Sequence, residues 1–182
     1  EDINISSTRI IFLDLLLQNK LYSLLFTAFC MAVMLNGTNF IDGLNTLAIG
    51  YYLILSLILI KIDLLKEINI DISLFSYWSI ILGFLYLFNL KKRLFLGDSG
   101  AYILGFIYSF LLLSIFNNNQ NISPFFIILL LWYPCFENLF SIIRKLRLNK
   151  SPILPDSNHF HQLLYFYLKK QLKLSNYLSN NL

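Results

Sequence analysis

Apolar and polar positions along this chain fall into long blocks rather than a short alternation. Five runs are almost wholly apolar: 21–35, 47–62, 72–90, 101–116 and 122–143. A helix needs roughly 20 apolar residues to cross a bilayer, with a range of about 17–25. The pattern therefore predicts an all-α, polytopic integral membrane helical bundle with about five transmembrane helices. The first run is short, and the stretch 36–45 is expected to complete it at a membrane interface. The last run contains Pro134, which removes a backbone hydrogen bond and should kink that helix. No internal repeat is evident, and residues 1–182 read as one membrane domain.

Composition excludes the main alternatives. Apolar residues make up 57% of the chain and charged residues 13%. Mean hydropathy is +0.65. A soluble domain of this size has too much surface to hide that much apolar area, and disorder needs the opposite bias. A disulfide scaffold needs more than two cysteines, and Cys30 and Cys135 both lie inside apolar runs.

The net charge of +4 then reads as membrane topology, with no nucleic-acid partner expected. Lys91, Lys92 and Arg93 form one basic loop; Arg144, Lys145, Arg147 and Lys150 form another. Basic loops face the cytoplasm and its anionic lipid. Alternating through five spans puts both loops on that side. It also puts 36–45, 95–100 and 155–164 there, so every polar cluster with chemical potential meets at one face.

The first cluster is Asn36-Gly37-Thr38-Asn39-Phe40-Ile41-Asp42-Gly43-Leu44-Asn45. Asn36, Asn39 and Asp42 recur every three residues, one stripe on a helix. Amides ending in a carboxylate suit a hydrated cation or sugar hydroxyls. The stripe equally suits a polar helix end at the interface. The second cluster is Phe95-Leu96-Gly97-Asp98-Ser99-Gly100. On local grounds Asp98 is better read as a helix cap. It also sits where it could hold Mg²⁺, which takes one or two carboxylates plus substrate phosphates. The third runs from Pro155 and Asp156 to His159, His161 and Gln162. The two prolines, Pro152 and Pro155, predict a loop there. With no cysteine nearby, a structural zinc site is not expected. Cys30, Met31, Met34, Trp78 and Trp132 read as packing or lipid-facing residues. Tyr51-Tyr52, Tyr77-Trp78 and Trp132-Tyr133 read as aromatic belts.

The ordered set of three clusters resembles the polyprenyl-phosphate N-acetylhexosamine-1-phosphate transferases. These are membrane glycosyltransferases of family 4, and the likeness is to the glycan-initiating branch. The resemblance spans residues 36–164. It implies transfer of a sugar-1-phosphate from a UDP-sugar to polyprenyl (undecaprenyl) phosphate, releasing UMP. That reaction starts O-antigen, lipopolysaccharide and related cell-wall glycans at the cytoplasmic face of the bacterial inner membrane. Asp98 resembles the magnesium-binding aspartate, with Mn²⁺ an acceptable substitute, and Phe95 the aromatic that stacks on uracil. Asn36, Asn39, Asp42, Asn45 and Gly97 fall at positions lining the nucleotide-sugar site. His159 and His161 match histidines that contact phosphate or sugar. Pairing of two copies as a homodimer is compatible with such a bundle.

There are departures. Thr46 stands where the family has glycine, and Gln162 where some members have a further histidine. The family's paired aspartates are not matched. Glu1-Asp2 followed by Arg9 is similar, but Arg9 to Asn36 is about 27 residues, or about 40 Å of helix. That allows one crossing of a core about 30 Å thick, which puts Glu1-Asp2 on the outer side. The paired aspartates are therefore expected upstream, and the stretch 163–182 is read as a further helix cut short. On this view the chain is a fragment. A truncated, inactive remnant is the main competing reading. A small transporter is the other, and it is disfavoured because polar residues avoid mid-span positions.

Overall fold

In hydrocarbon no water can satisfy a backbone amide, so an apolar run must close its hydrogen bonds internally. The computed structural model follows that rule. It describes residues 3–119, 121–149 and 159–171, and every regular element among them is helical. The elements are α1 (Ile11–Leu17), α2 (Lys20–Ile41), α3 (Leu47–Lys61), a 3₁₀ turn (Leu64–Ile68), α4 (Ile72–Leu90), α5 (Gly97–Asn118), α6 (Pro124–Leu130), α7 (Trp132–Arg147) and α8 (Phe160–Gln171).

Three of these helices, α2, α4 and α5, are each long and apolar enough to cross a membrane. The second expected span, α3, has 15 residues, roughly 22 Å at about 1.5 Å per residue. It still runs from one end of the bundle to the other. The 3₁₀ turn that follows it meets the far end of α5, where Asn118 Nδ2 donates to the Glu67 carbonyl at 2.9 Å and Asn119 Nδ2 to Glu67 Oε1 at 2.8 Å.

The fifth expected span is not one kinked helix. It is two helices, α6 and α7, meeting at 81°. The break falls at Leu131, three residues before Pro134. The cause is local: a proline cannot donate to the carbonyl four residues back and its ring crowds that carbonyl. That carbonyl belongs to Leu130, and the Tyr51 hydroxyl takes it instead. The bundle therefore has three such spans among the described residues, or four if the bent pair counts as one.

α7 is inside out compared with a soluble helix. Glu137, Asn138, Ser141 and Lys145 are buried along one face. Trp132, Phe136, Phe140 and Ile143 are exposed along the other. Lipid accepts apolar side chains, so the bundle interior is where polar ones must go. The buried face lies on α2, where Asn138 Nδ2 donates to the Val33 carbonyl at 3.0 Å. Glycine at position 37 is what lets α7 approach, because a β-carbon there would overlap the Pro134 carbonyl. On another face of α2, Gly105 of α5 comes so close that a β-carbon would meet Thr38 Oγ1 at 2.8 Å.

Hydroxyls tie the remaining helices together. Thr38 Oγ1 and Tyr52 OH share a hydrogen bond of 2.5 Å. Ser56 bonds the Tyr108 hydroxyl, and Trp78 Nε1 donates to that hydroxyl at 3.1 Å. The chain of contacts joins α2, α3, α4 and α5. Such bonds average about 0.6 kcal/mol each in a bilayer, where no hydrophobic drive pulls helices together. Tyr52 is fully buried, so Tyr51-Tyr52 belongs to the interior and is not an aromatic belt.

Candidate functional site

The two ends of the bundle differ. At one end Arg9 reaches the Asn121 and Ile122 carbonyls, and Ile5 pairs with Ser23 and Thr27 near the start of α2. Residues 3–10 thus lie at the end remote from Asp98. At the other end the C-terminus of α2, the turn 42–46 and the start of α5 converge.

Asn39, in the last turn of α2, donates its Nδ2 to Asp98 Oδ1 at 2.9 Å. Asp98 does not cap α5 as local sequence suggested. The cap position is Leu96, with no side-chain cap bond, and Asp98 lies in the first helical turn. Its carboxylate is instead turned across to α2. Gly97 opens α5 with φ +67°, a conformation that costs glycine little. The Gly97 amide faces Asp42, which forms the C-terminal cap of α2.

Asp42 titrates unusually. Burial pushes its carboxyl up to about 6; the Gly97 amide opposes this and the Asp98 charge adds to it. The sign gives a prediction. A carboxyl whose pKa rises on folding is held less readily as an anion by the native state, so this burden on stability appears as pH climbs from 3.8 through about 6. Asp42→Asn should therefore raise the ligand-free melting temperature at pH 7.5, with the difference shrinking as pH falls below 6. Equal melting-temperature differences at pH 7.5 and pH 4 would refute this.

One buried amide fastens the turn to the loop before α5. Asn89 Oδ1 accepts from the Thr46 N–H at 2.5 Å, and Asn89 Nδ2 donates to the Leu94 carbonyl at 2.8 Å. Thr46 has φ 68°, which explains why glycine is expected at this position. Asn45 is half-buried beside it and lines a cavity of about 610 Å³ between α3, α7 and α8.

The histidines form the second half of the site. His159 and His161 are 5% and 3% exposed. Their rings are nearly parallel, with centroids 5.7 Å apart. His159 Nδ1 lies 3.0 Å from Glu137 Oε2, and His161 Nδ1 lies 3.5 Å from Glu137 Oε1. The Phe160 N–H donates to Glu137 Oε1 at 3.0 Å. Phe40 of α2 packs on the His159 ring at 4.8 Å. His161 Nε2 faces Gly43, where a β-carbon would lie 2.7 Å from it. α8 begins at Phe160, so His161 sits in its first turn; the stretch 150–158, where the loop is predicted, lies outside the described residues.

The C-terminal end of α2 is therefore the meeting point for Asn39, Asp42, Gly97, Asp98 and His161. Asn36 is not drawn in: it is exposed and donates to its own helix at the Ala32 carbonyl, 3.0 Å away. Phe95 is 70% exposed at the mouth of the site. Pro155, Asp156 and Glu1-Asp2 lie outside the described residues. Sequence reasoning missed Glu137 and Asn89. Glu137 left a usable signal, since a lone carboxylate inside an apolar run is costly unless it is partnered.

The donor set fits a hard divalent cation. Asp42 and Asp98 are oxygen donors close enough for one charge to raise the other's pKa. Among the described residues no three His, Cys, Asp or Glu form a ready-made metal cage. A bound Mg²⁺ would take its other ligands from phosphate and water, its usual habit.

Comparison with known proteins adds an independent finding. Residues 1–116 match the model of glycosyl transferase family 4, a stretch that contains Asn39, Asp42, Phe95 and Asp98 but not Glu137, His159 or His161. The chain is 36% identical over 147 residues to a probable undecaprenyl-phosphate N-acetylglucosaminyl 1-phosphate transferase of Bacillus subtilis, covering 76% of this chain and 40% of that protein. It is 32% identical over 130 residues to an undecaprenyl-phosphate alpha-N-acetylglucosaminyl 1-phosphate transferase of Thermotoga maritima, covering 71% and 39%. It is 28% identical over 167 residues to a decaprenyl-phosphate N-acetylglucosaminephosphotransferase of Mycolicibacterium smegmatis, covering 80% and 41%. The chain spans about two fifths of the length of these curated relatives. No solved structure matches.

Proposed function

The chain belongs to glycosyl transferase family 4, and from that membership we propose that it carries the nucleotide-sugar half of a polyprenyl-phosphate sugar-1-phosphate transferase. The donor is a UDP-N-acetylhexosamine and the acceptor is polyprenyl phosphate, with undecaprenyl phosphate the bacterial form. An oxygen of the lipid phosphate attacks the β-phosphorus of the UDP-sugar. A new phosphorus–oxygen bond forms, the bond between the β-phosphorus and the bridging oxygen breaks, and UMP leaves with that electron pair. The product is a polyprenyl-pyrophosphoryl sugar. Such a product starts surface glycans such as O-antigen, at the cytoplasmic face of the inner membrane.

The observation that supports this most strongly is the convergence of Asn39, Asp42, Asp98 and the Glu137–histidine cluster on one end of α2. Both reactants are anions, so positioning and charge neutralisation supply most of the catalysis. Asp98 and Asp42 would hold the metal; Mg²⁺ when bound supplies neutralisation of the diphosphate. Asn39 orients Asp98 through its amide. The imidazole Nε2 of His161 is turned toward the same corner and suits a phosphate oxygen. Phe95 offers an exposed face for the uracil, and Asn45 a polar edge near the sugar. Lys91, Lys92 and Arg93, exposed on the preceding loop, draw an anionic substrate in from water. The apolar cavity beside His161 gives the first isoprene units of the lipid a place out of water.

The test is UMP release by the full-length protein in vesicles supplied with UDP-N-acetylglucosamine and undecaprenyl phosphate. Release that stops with EDTA and returns with Mg²⁺ is expected. No release in the presence of both substrates and Mg²⁺ would overturn the proposal.

A further inference from the structure

Glu137 is a buried carboxylate that three groups share. It is 2% exposed. His159 Nδ1 reaches one oxygen at 3.0 Å; the Phe160 N–H reaches the other at 3.0 Å, with His161 Nδ1 at 3.5 Å from that same oxygen. Three facts make this more than one satisfied ion pair. First, Glu137 comes from α7, while the histidines belong to the start of α8, so the carboxylate fixes one element against the other. Second, each imidazole presents the same atom, Nδ1, to it. The His159 ring is bonded through Nδ1, which turns its Nε2 away from the carboxylate and selects which nitrogen carries the proton; the His161 ring is held parallel to it with Nδ1 at ion-pair distance. Third, neither ring nitrogen of His161 has a hydrogen-bond partner among the described residues: Nδ1 stops 3.5 Å from Glu137 Oε1, at ion-pair distance, and Nε2 faces Gly43, next to Asp42. A buried ring nitrogen without a partner is costly. Here it lies at the place where substrate phosphate is expected.

We propose that Glu137 is a positioning residue that orients both histidines, with Nδ1 toward the protein and the Nε2 of His161 toward the phosphate corner. The inference rests on the transferase reading for its effect on turnover, but its geometric content stands apart from it. α8 supplies part of the bond directly. Its first amide donates to Glu137, so the same carboxylate that aligns the rings also anchors the helix that carries His161. One group therefore couples the placement of α8 to the aim of its histidine. The short path from α7 through Glu137 to His161 also gives the break at Leu131 a use. It turns α7 across the end of α2, where its polar face can reach the site.

Two substitutions test this in the full-length protein. Glu137→Leu removes the acceptor, and Glu137→Gln keeps an acceptor oxygen without the charge. Removing the carboxylate behind a metal-bound histidine typically costs about 10–100-fold, and a loss of that order is expected here. The Leu variant should lose that much in kcat per folded molecule, with KM for the UDP-sugar changed less than about threefold. The Gln variant should lose less. Nitrogen-15 spectra of labelled histidine supply a readout independent of activity. Wild-type His159 should hold its proton on Nδ1, and the Leu variant should shift toward the Nε2 form. Unchanged histidine spectra in the Leu variant would overturn the proposal. So would equal loss of folded protein in both variants with unchanged kcat in what remains, because that is the mark of a purely structural residue. Wild-type protein without turnover would instead overturn the transferase reading, and the spectra would still decide the role of Glu137.

Discussion

Asp98→Asn is expected to lower turnover by about 10²–10³-fold, the usual cost of deleting one group that stabilises developing charge. Asp98 is exposed in the first turn of α5, and asparagine is nearly isosteric. Its side-chain oxygen can still accept from Asn39 Nδ2, so the link between α2 and α5 survives. What disappears is the negative charge beside Asp42. The pKa of Asp42 should then fall, because Asp98 is one of the groups that raise it. The variant should fold, keep wild-type stability to within about 0.5 kcal/mol, and show Mg²⁺-dependent UMP release close to background. Near wild-type release would remove Asp98 from the metal site.

Gly37→Ala is expected to be the most damaging single methyl in the bundle. A β-carbon at this position overlaps the Pro134 carbonyl. That neighbour is backbone, so no rotamer change relieves it. Relief requires α7 to move off α2, and overpacking of this kind costs about 1–3 kcal/mol or more. The displacement also carries Glu137 away from the end of α2 and, with it, the histidines. Stability and turnover should therefore fall together. Gly83→Ala is the control. It lies within α4 with nothing inside 4 Å of a β-carbon. It should be neutral or slightly stabilising, since alanine is favoured over glycine in a helix by about 0.5–1 kcal/mol. Melting curves in detergent, with UMP release on the same samples, decide both. A Gly37→Ala protein as stable as wild type would mean that α2 and α7 do not pack as described.

How much of this was legible beforehand depended on whether the cause was local. The α2, α4 and α5 spans were legible because hydrocarbon imposes a length and an apolar composition on any crossing helix. Asn39, Asp42 and Asp98 were legible as chemistry because polar groups beside an apolar run need a reason. Their mutual contact was legible only as a shared membrane face; the 2.9 Å bond between Asn39 and Asp98 depends on how α2 and α5 pack. Pro134 announced a distortion at the carbonyl four residues back, but neither the 81° angle of the break nor the partner that takes the Leu130 carbonyl, Tyr51, 79 residues before it, is local information. Tyr51 and Tyr52 looked like belt residues because lipid and bundle interior are both apolar, so composition does not distinguish outward from inward. Asp98 looked like a cap because Asp-Ser-Gly fits one locally; Asn39, 59 residues away, offered its carboxylate a partner. Glu137 was overlooked because its partners, His159 and Phe160, come from the start of α8, 22 and 23 residues further on.

The central claim is that groups from α2, α5 and α8 act on one bound diphosphate. The most direct measurement is a double-mutant cycle between Asp98→Asn and His161→Gln, read as the Kd for UDP-N-acetylglucosamine in the presence of Mg²⁺. A shared ligand predicts coupling of about 1 kcal/mol or more, so that the second substitution weakens binding about fivefold less once the first is made. Effects that simply add, within about 0.3–0.5 kcal/mol, would mean two unrelated sites and would contradict the account.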